Sequence, residues 1–82
     1  MHETHLIEPI IKGIAEHAAR EGGKSVSRVR LKLGLLLGVN EESFRETFKV
    51  LAKGTLLEGA RLELNFFPGT RVEVVSFDIE ET

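Results

Sequence analysis

The chain has 82 residues, with 11 Lys and Arg against 13 Asp and Glu, no cysteine and a formal net charge of −2. That is one domain with an economical core, and the near balance of charge argues against a general nucleic-acid binder, which carries a basic excess. The lack of cysteine removes disulfides, thiolate zinc sites and cysteine nucleophiles together. No run has the length of a membrane span or the form of a cleavable signal, so the chain reads as soluble and cytoplasmic.

Met1-His2-Glu3 sets an imidazole one position in from the amino terminus. A terminal amine, backbone amides and a ring this close in sequence can wrap around one metal ion, and Ni(II) and Cu(II) favour square-planar nitrogen sites. A residue as bulky as His2 normally leaves the initiator methionine in place, so Met1 reads as the mature end. The competing reading of the tripeptide alone is a solvated terminus that binds nothing.

From Leu6 to Ala18 apolar residues recur in pairs four apart (Leu6-Ile7, Ile10-Ile11, Ile14-Ala15, then Ala18), which is one face of an amphipathic helix. Thr4 is the expected N-cap and Gly22-Gly23 the stop. Pro9 removes a backbone donor. Either the first turn is kinked or the regular helix starts later, with Pro9 at its first position. His2, His5 and Glu8 are spaced three apart and would share a helix face, which makes His5 an additional candidate metal ligand beside the reading of exposed polar residues. His17, near the helix end, reads as a carbonyl cap or a solvated ring placed well against the helix dipole.

Val26 to Leu33 alternates, with Val29, Leu31 and Leu33 on one face and Arg28, Arg30 and Lys32 on the other, as in a strand of a sheet covered on one side. Gly34-Leu35-Leu36-Leu37-Gly38 is an apolar connection bracketed by glycines. A helix follows from about Glu41 to Lys53, with Asn40 as N-cap, Glu41 and Glu42 in its first turn and Gly54 after its end. Val39 and Phe44 have the spacing of a hydrophobic staple, and Phe44, Phe48, Leu51 and Ala52 form the buried stripe. Ala60, Leu62, Leu64 and Phe66 share one face of the next strand. Phe67-Pro68-Gly69-Thr70 reads as a tight turn, and the last strand runs from about Arg71 to Glu80. Val72 and Val74 are out of phase with Phe77 and Ile79 there, so a bulge near Val75-Ser76 is expected.

Helix, strand, helix, strand, strand predicts an α+β fold: a two-layer sandwich with both helices on one face of a three-stranded mixed sheet. The first two strands should run parallel through a right-handed crossover, and the last two should form a hairpin. No catalytic constellation stands out. Ser25, Ser27, Ser43 and Ser76 read as turn, strand and cap residues, Gly22-Gly23 ends a helix rather than opening one, and carboxylates such as Glu63 beside Arg61 read as a solvated charged face. The chain is not expected to be an enzyme.

Taken in order, Met1-His2-Glu3, Ala18-Ala19-Arg20-Glu21-Gly22, Arg28-Val29-Arg30-Leu31 with Gly34, Gly38-Val39, Lys53-Gly54-Thr55-Leu56 and Glu58-Gly59-Ala60 resemble the HypA/HybF family of nickel metallochaperones of hydrogenase maturation. Val72 to Glu80 looks like the family's closing strand. The resemblance implies a metal site made by Met1 through its amine, His2 through its ring and amide, and Glu3 through its amide. Asn40 matches a position where some members carry an aspartate that approaches the nickel; its N-cap role explains it without metal. The ion implied is Ni(II), with Cu(II) competing for the same atoms and binding weakening as pH falls. The implied partners are a nickel-handling GTPase and the hydrogenase, or urease, maturation machinery, with no nucleic acid and no membrane.

Two departures accompany the match. The family carries a zinc domain with paired CxxC motifs between the last two strands, where this chain has Phe67-Pro68-Gly69-Thr70, so residues 1–82 read as a single nickel-binding domain with no zinc domain and no zinc. The family's turn after the first strand usually carries an acidic residue and a serine, where this chain has Leu35 and Leu37. An apolar loop of that kind makes a homodimer a candidate assembly. It also supports an alternative function, a metal-free adaptor that acts through Leu35-Leu37 or a strand edge.

Overall fold

The computed structural model describes residues 3–81. Its elements are α1 (Thr4–Arg20), β1 (Ser25–Gly34), a single 3₁₀ turn (Leu35–Leu37), α2 (Glu41–Ala52), β2 (Arg61–Phe67) and β3 (Val72–Glu80). Among the described residues no helix is long and apolar enough to cross a membrane.

In α1 the residues that are buried, Ile7, Ile11, Ile14 and Ala18, fall on one stripe at helical spacing. Glu3, not Thr4, occupies the cap position, and its side chain makes no cap bond; Thr4 is the first helical residue. The helix does not wait for Pro9, which lies inside it. The donor Pro9 lacks would have served the carbonyl of His5. Both residues are exposed, so water can take its place. The other end stops as expected: Gly22 N–H donates to Ala19 O at 3.1 Å and Gly23 N–H to Ala18 O at 2.8 Å. Gly22 has φ 81°, the left-handed conformation this ending requires.

The sheet order is β2-β1-β3. β1 pairs parallel with β2 and antiparallel with β3. The expected parallel pair is present, but the expected hairpin is not: β2 and β3 both lie at edges, with β1 between them. The central place suits β1 because it carries the most apolar row, and Val29, Leu31 and Leu33 are wholly buried there. Its opposite face is cationic and gains acidic neighbours on both sides. Arg30 meets Glu63 of β2 at 3.3 Å and Asp78 of β3 at 3.4 Å, and Arg28 meets Glu63 at 3.5 Å. Glu63 therefore pairs across strands rather than with Arg61. Alternation tells which face a residue takes but not which strand is central.

The bulge in β3 is where the phase break placed it. Arg30 pairs with Ser76 and Leu31 with Val74, so Val75 is the extra residue, and Val72, Val74, Phe77 and Ile79 all lie opposite residues of β1. A second irregularity, between Val26 and Arg28, lets Val26 join the core although it is out of phase with Val29.

Both helices cover one face of this sheet. Phe44, Phe48 and Ala52 of α2 join Ile7, Ile11, Ile14 and Ala18 of α1, the buried row of β1, and Leu57 from the loop after α2 in one cluster. Phe66 departs from expectation: it is 43% exposed at the end of edge strand β2. In the 3₁₀ turn Leu35 and Leu36 face solvent, 60% and 76% exposed, whereas Leu37 is half-buried.

Candidate functional site

The expectations for Met1 and His2 lie outside the described residues. Glu3, the third member of the candidate set, is described, and it sits at the entrance to α1. Its carbonyl accepts from Leu6 N–H at 3.0 Å and Ile7 N–H at 2.9 Å, closing the first helical turn. Its carboxylate Oε1 accepts from the Ser43 hydroxyl at 3.3 Å. Ser43 lies in the first turn of α2, so the start of α1 is held against the start of α2. This follows from topology: each helix is joined to β1, and runs back along it, so both enter the layer from the same end.

Asn40 belongs to the same end. It has extended backbone, φ −79° and ψ 125°, and its side chain accepts from the Ser43 N–H at 2.8 Å. That is an N-cap bond, which satisfies one of the donors a helix start leaves open. The cap role expected for Asn40 is thus observed. One residue, Ser43, joins Asn40 through its backbone and Glu3 through its side chain. Val39, just before the cap, packs on the core cluster that contains Phe44. Glu41 and Glu42 occupy the first turn, where carboxylates are favoured by the helix dipole. Glu41 is paired with Arg45 at 3.2 Å, and Arg45 also donates to Leu62 O at 2.7 Å, which ties α2 to edge strand β2.

The remaining histidines do not join this cluster. His5 and Glu8 are both exposed on α1, and among the described residues no group of three or more His, Cys, Asp or Glu is placed to hold a metal ion. His17 is exposed, as the solvated reading expects. Its ring stands edge-on to Phe77, with centroids 5.5 Å apart and planes at 88°, beside a shallow groove of about 510 Å³ between α1 and β3. The serines expected in strands are in hydrogen bonds: Ser27 donates to Glu80 and Ser76 accepts from Arg30.

Ser43 was the residue that sequence reasoning undervalued. A hydroxyl three residues after an N-cap is an ordinary sequence feature. Its partner lies 40 positions away and can be found only once the two helix starts are known to meet.

A family model described as "Hydrogenase/urease nickel incorporation, metallochaperone, hypA" matches residues 1–72. The hydrogenase maturation factor HypA of Beijerinckia indica is 43% identical over 82 residues, covering 100% of this chain and 70% of that protein. The corresponding factor of Syntrophus aciditrophicus is 41% identical over 68 residues, 83% of this chain and 60% of that protein. The chain therefore spans about 60 to 70% of the length of these curated relatives. Among solved structures, the solution structure of the Ni metallochaperone HypA from Helicobacter pylori matches with a TM-score of 0.83 at 13% identity, covering 98% of each chain. At that identity the likeness establishes a shared fold.

Proposed function

The chain belongs to the HypA family, and from that premise we propose that it carries Ni(II) as cargo at its amino terminus for maturation of a nickel enzyme. The donors are the amine of Met1, the ring and amide nitrogens of His2, and the amide nitrogen of Glu3. Residues 1–82 act as one nickel-binding domain that catalyses nothing and passes its ion, in the cytoplasm, to a nickel-handling GTPase and the hydrogenase machinery. Residues 1–82 hold no cysteine and so offer no thiolate to a zinc ion.

The observation that carries the reading is the docking of Glu3. Both its carbonyl and its carboxylate are engaged, while its N–H makes no hydrogen bond among the described residues. A donor set whose last atom belongs to a fixed residue needs less ordering when the metal arrives. Nitrogen donors in a plane suit Ni(II). Delivery also needs release, and a site at a chain end can open without disturbing the core. Asn40 and His5 are not needed as ligands here, since Asn40 is committed to its cap and His5 faces solvent on α1.

The test is a Ni(II) titration of protein whose mass confirms Met1 as its free first residue. Binding should be one-to-one and give a diamagnetic square-planar species. His2→Ala, or one residue added ahead of Met1, should abolish that species. Unchanged binding in either variant overturns the assignment.

A further inference from the structure

Both hydrogen-bond donors of Ser43 are committed, and to different elements. Its N–H donates to Asn40 Oδ1 at 2.8 Å, which completes the cap of α2. Its Oγ donates to Glu3 Oε1 at 3.3 Å, which reaches the residue leading into α1. The cap does not need the hydroxyl, because the backbone donor alone makes it. The hydroxyl is therefore free to act on Glu3, and an ionised carboxylate is a strong acceptor. The Glu3 carbonyl fixes that residue to the axis of α1, and the carboxylate bond fixes it sideways to α2. Two restraints on one residue limit how freely its backbone, the N–H included, can turn.

We infer that Ser43 is a positioning residue for nickel: it touches no metal, and it aims the Glu3 amide nitrogen by holding the Glu3 carboxylate against the first turn of α2. The inference rests on the nickel site proposed above. Groups that hydrogen-bond the residues supplying a metal's donors orient those residues, and removing them typically lowers metal affinity about 10- to 100-fold.

The substitution Ser43→Ala deletes the hydroxyl and keeps the N–H that caps α2, so the fold is retained while the clamp is lost. Ser43→Thr restores a hydroxyl. Nickel titrations of wild type, Ser43→Ala, Ser43→Thr, Glu3→Ala and the double Ser43→Ala, Glu3→Ala variant test the inference. The square-planar absorption band and the Glu3 amide resonance are followed in each. Ser43→Ala should bind about 10- to 100-fold more weakly, with Ser43→Thr recovering most of the loss. Glu3→Ala, which leaves α2 untouched, should lose a similar factor, and the double variant should lose no more than either single one, as for two groups that act through one contact.

Wild-type affinity in Ser43→Ala, or losses that multiply in the double variant, overturns the inference. If wild type itself binds no Ni(II), the nickel reading fails separately. The clamp is then decided in metal-free protein, where Ser43→Ala should shift the Glu3 amide resonance and speed its exchange. An unchanged Glu3 amide overturns the clamp as well.

Discussion

Gly34 ends β1 directly beneath Gly69, so close that a Cβ on Gly34 would run into the Gly69 carbonyl and lie 2.9 Å from Arg71 N. The approach is also bonded: Gly34 N–H donates to Arg71 O at 2.9 Å and Leu36 N–H to Gly69 O at 3.0 Å. Residues 68–71 carry the chain from one edge strand to the other across the end of the central one, and the missing side chain at Gly34 is what lets them pass. Backbone rather than a flexible side chain meets the added atom, so Gly34→Ala cannot be relieved by a rotamer change. It should destabilise the protein by about 1–3 kcal/mol, the usual range for inserting an atom into a packed site, with the loss read from urea unfolding midpoints.

That crossing also shows what the sequence could convey. The alternation in Val29, Leu31 and Leu33, the spacing of Ile7, Ile11, Ile14 and Ala18, and the cap at Asn40 are local patterns, each recorded within a few residues. Both helices, all three strands and the bulge at Val75 were legible for that reason. Strand order was not, because Phe67-Pro68-Gly69-Thr70 can serve a hairpin or a crossing equally well. The choice depends on which strand has the apolar row to be buried deepest, and that is Val29, Leu31 and Leu33 of β1. Met1-His2-Glu3 stood out as a candidate motif, but the link from Glu3 to Ser43 was not legible, since it exists only in the folded chain.

Asn40 was matched both to a position near nickel and to a helix cap, and its hydrogen bond to Ser43 N–H gives separate consequences for stability and for binding. Asn40→Ala removes the cap and should cost about 1 kcal/mol. Asn40→Asp keeps an acceptor in place and adds a charge the helix start favours, so its unfolding midpoint should match wild type or exceed it. Nickel affinity measured on the same Asn40→Asp protein should change by less than about 3-fold if the side chain stays on its cap. A large gain would mean that the carboxylate leaves the cap for the metal.

Arg30 is the hub of the uncovered sheet face, with bonds to Ser76 at 3.0 Å and Asp78 at 3.4 Å and an ion pair to Glu63 at 3.3 Å. These partners tie both edge strands to β1, yet the side chain is 30% exposed, so water competes for every contact. Arg30→Ala should therefore cost only about 1 kcal/mol or less. Its effect should shrink when unfolding is repeated in about 1 M salt, where screening acts within a few ångströms. A cost that does not respond to salt would mean that the stem of Arg30 contributes by packing, and Arg30→Met would then recover it.

Nickel held by two amide nitrogens has a proton signature that other donor sets lack. Peptide amides keep their protons at neutral pH, so under the proposed donor set the His2 and Glu3 amides would each release one when the ion binds. The ring and the amine release more as the solution becomes acidic. Metal affinity follows the number of protons displaced, and its sign is fixed: affinity falls as pH falls. Two amide protons alone make the apparent association constant drop at least about 100-fold per pH unit, steepening once the ring and amine are protonated. Competition against a nickel indicator of known pH dependence, repeated across neutral pH, measures this slope. A value near one proton per nickel would remove the amides from the donor set and leave a ring and an amine, a site for which the placement of Glu3 by Ser43 would have no consequence.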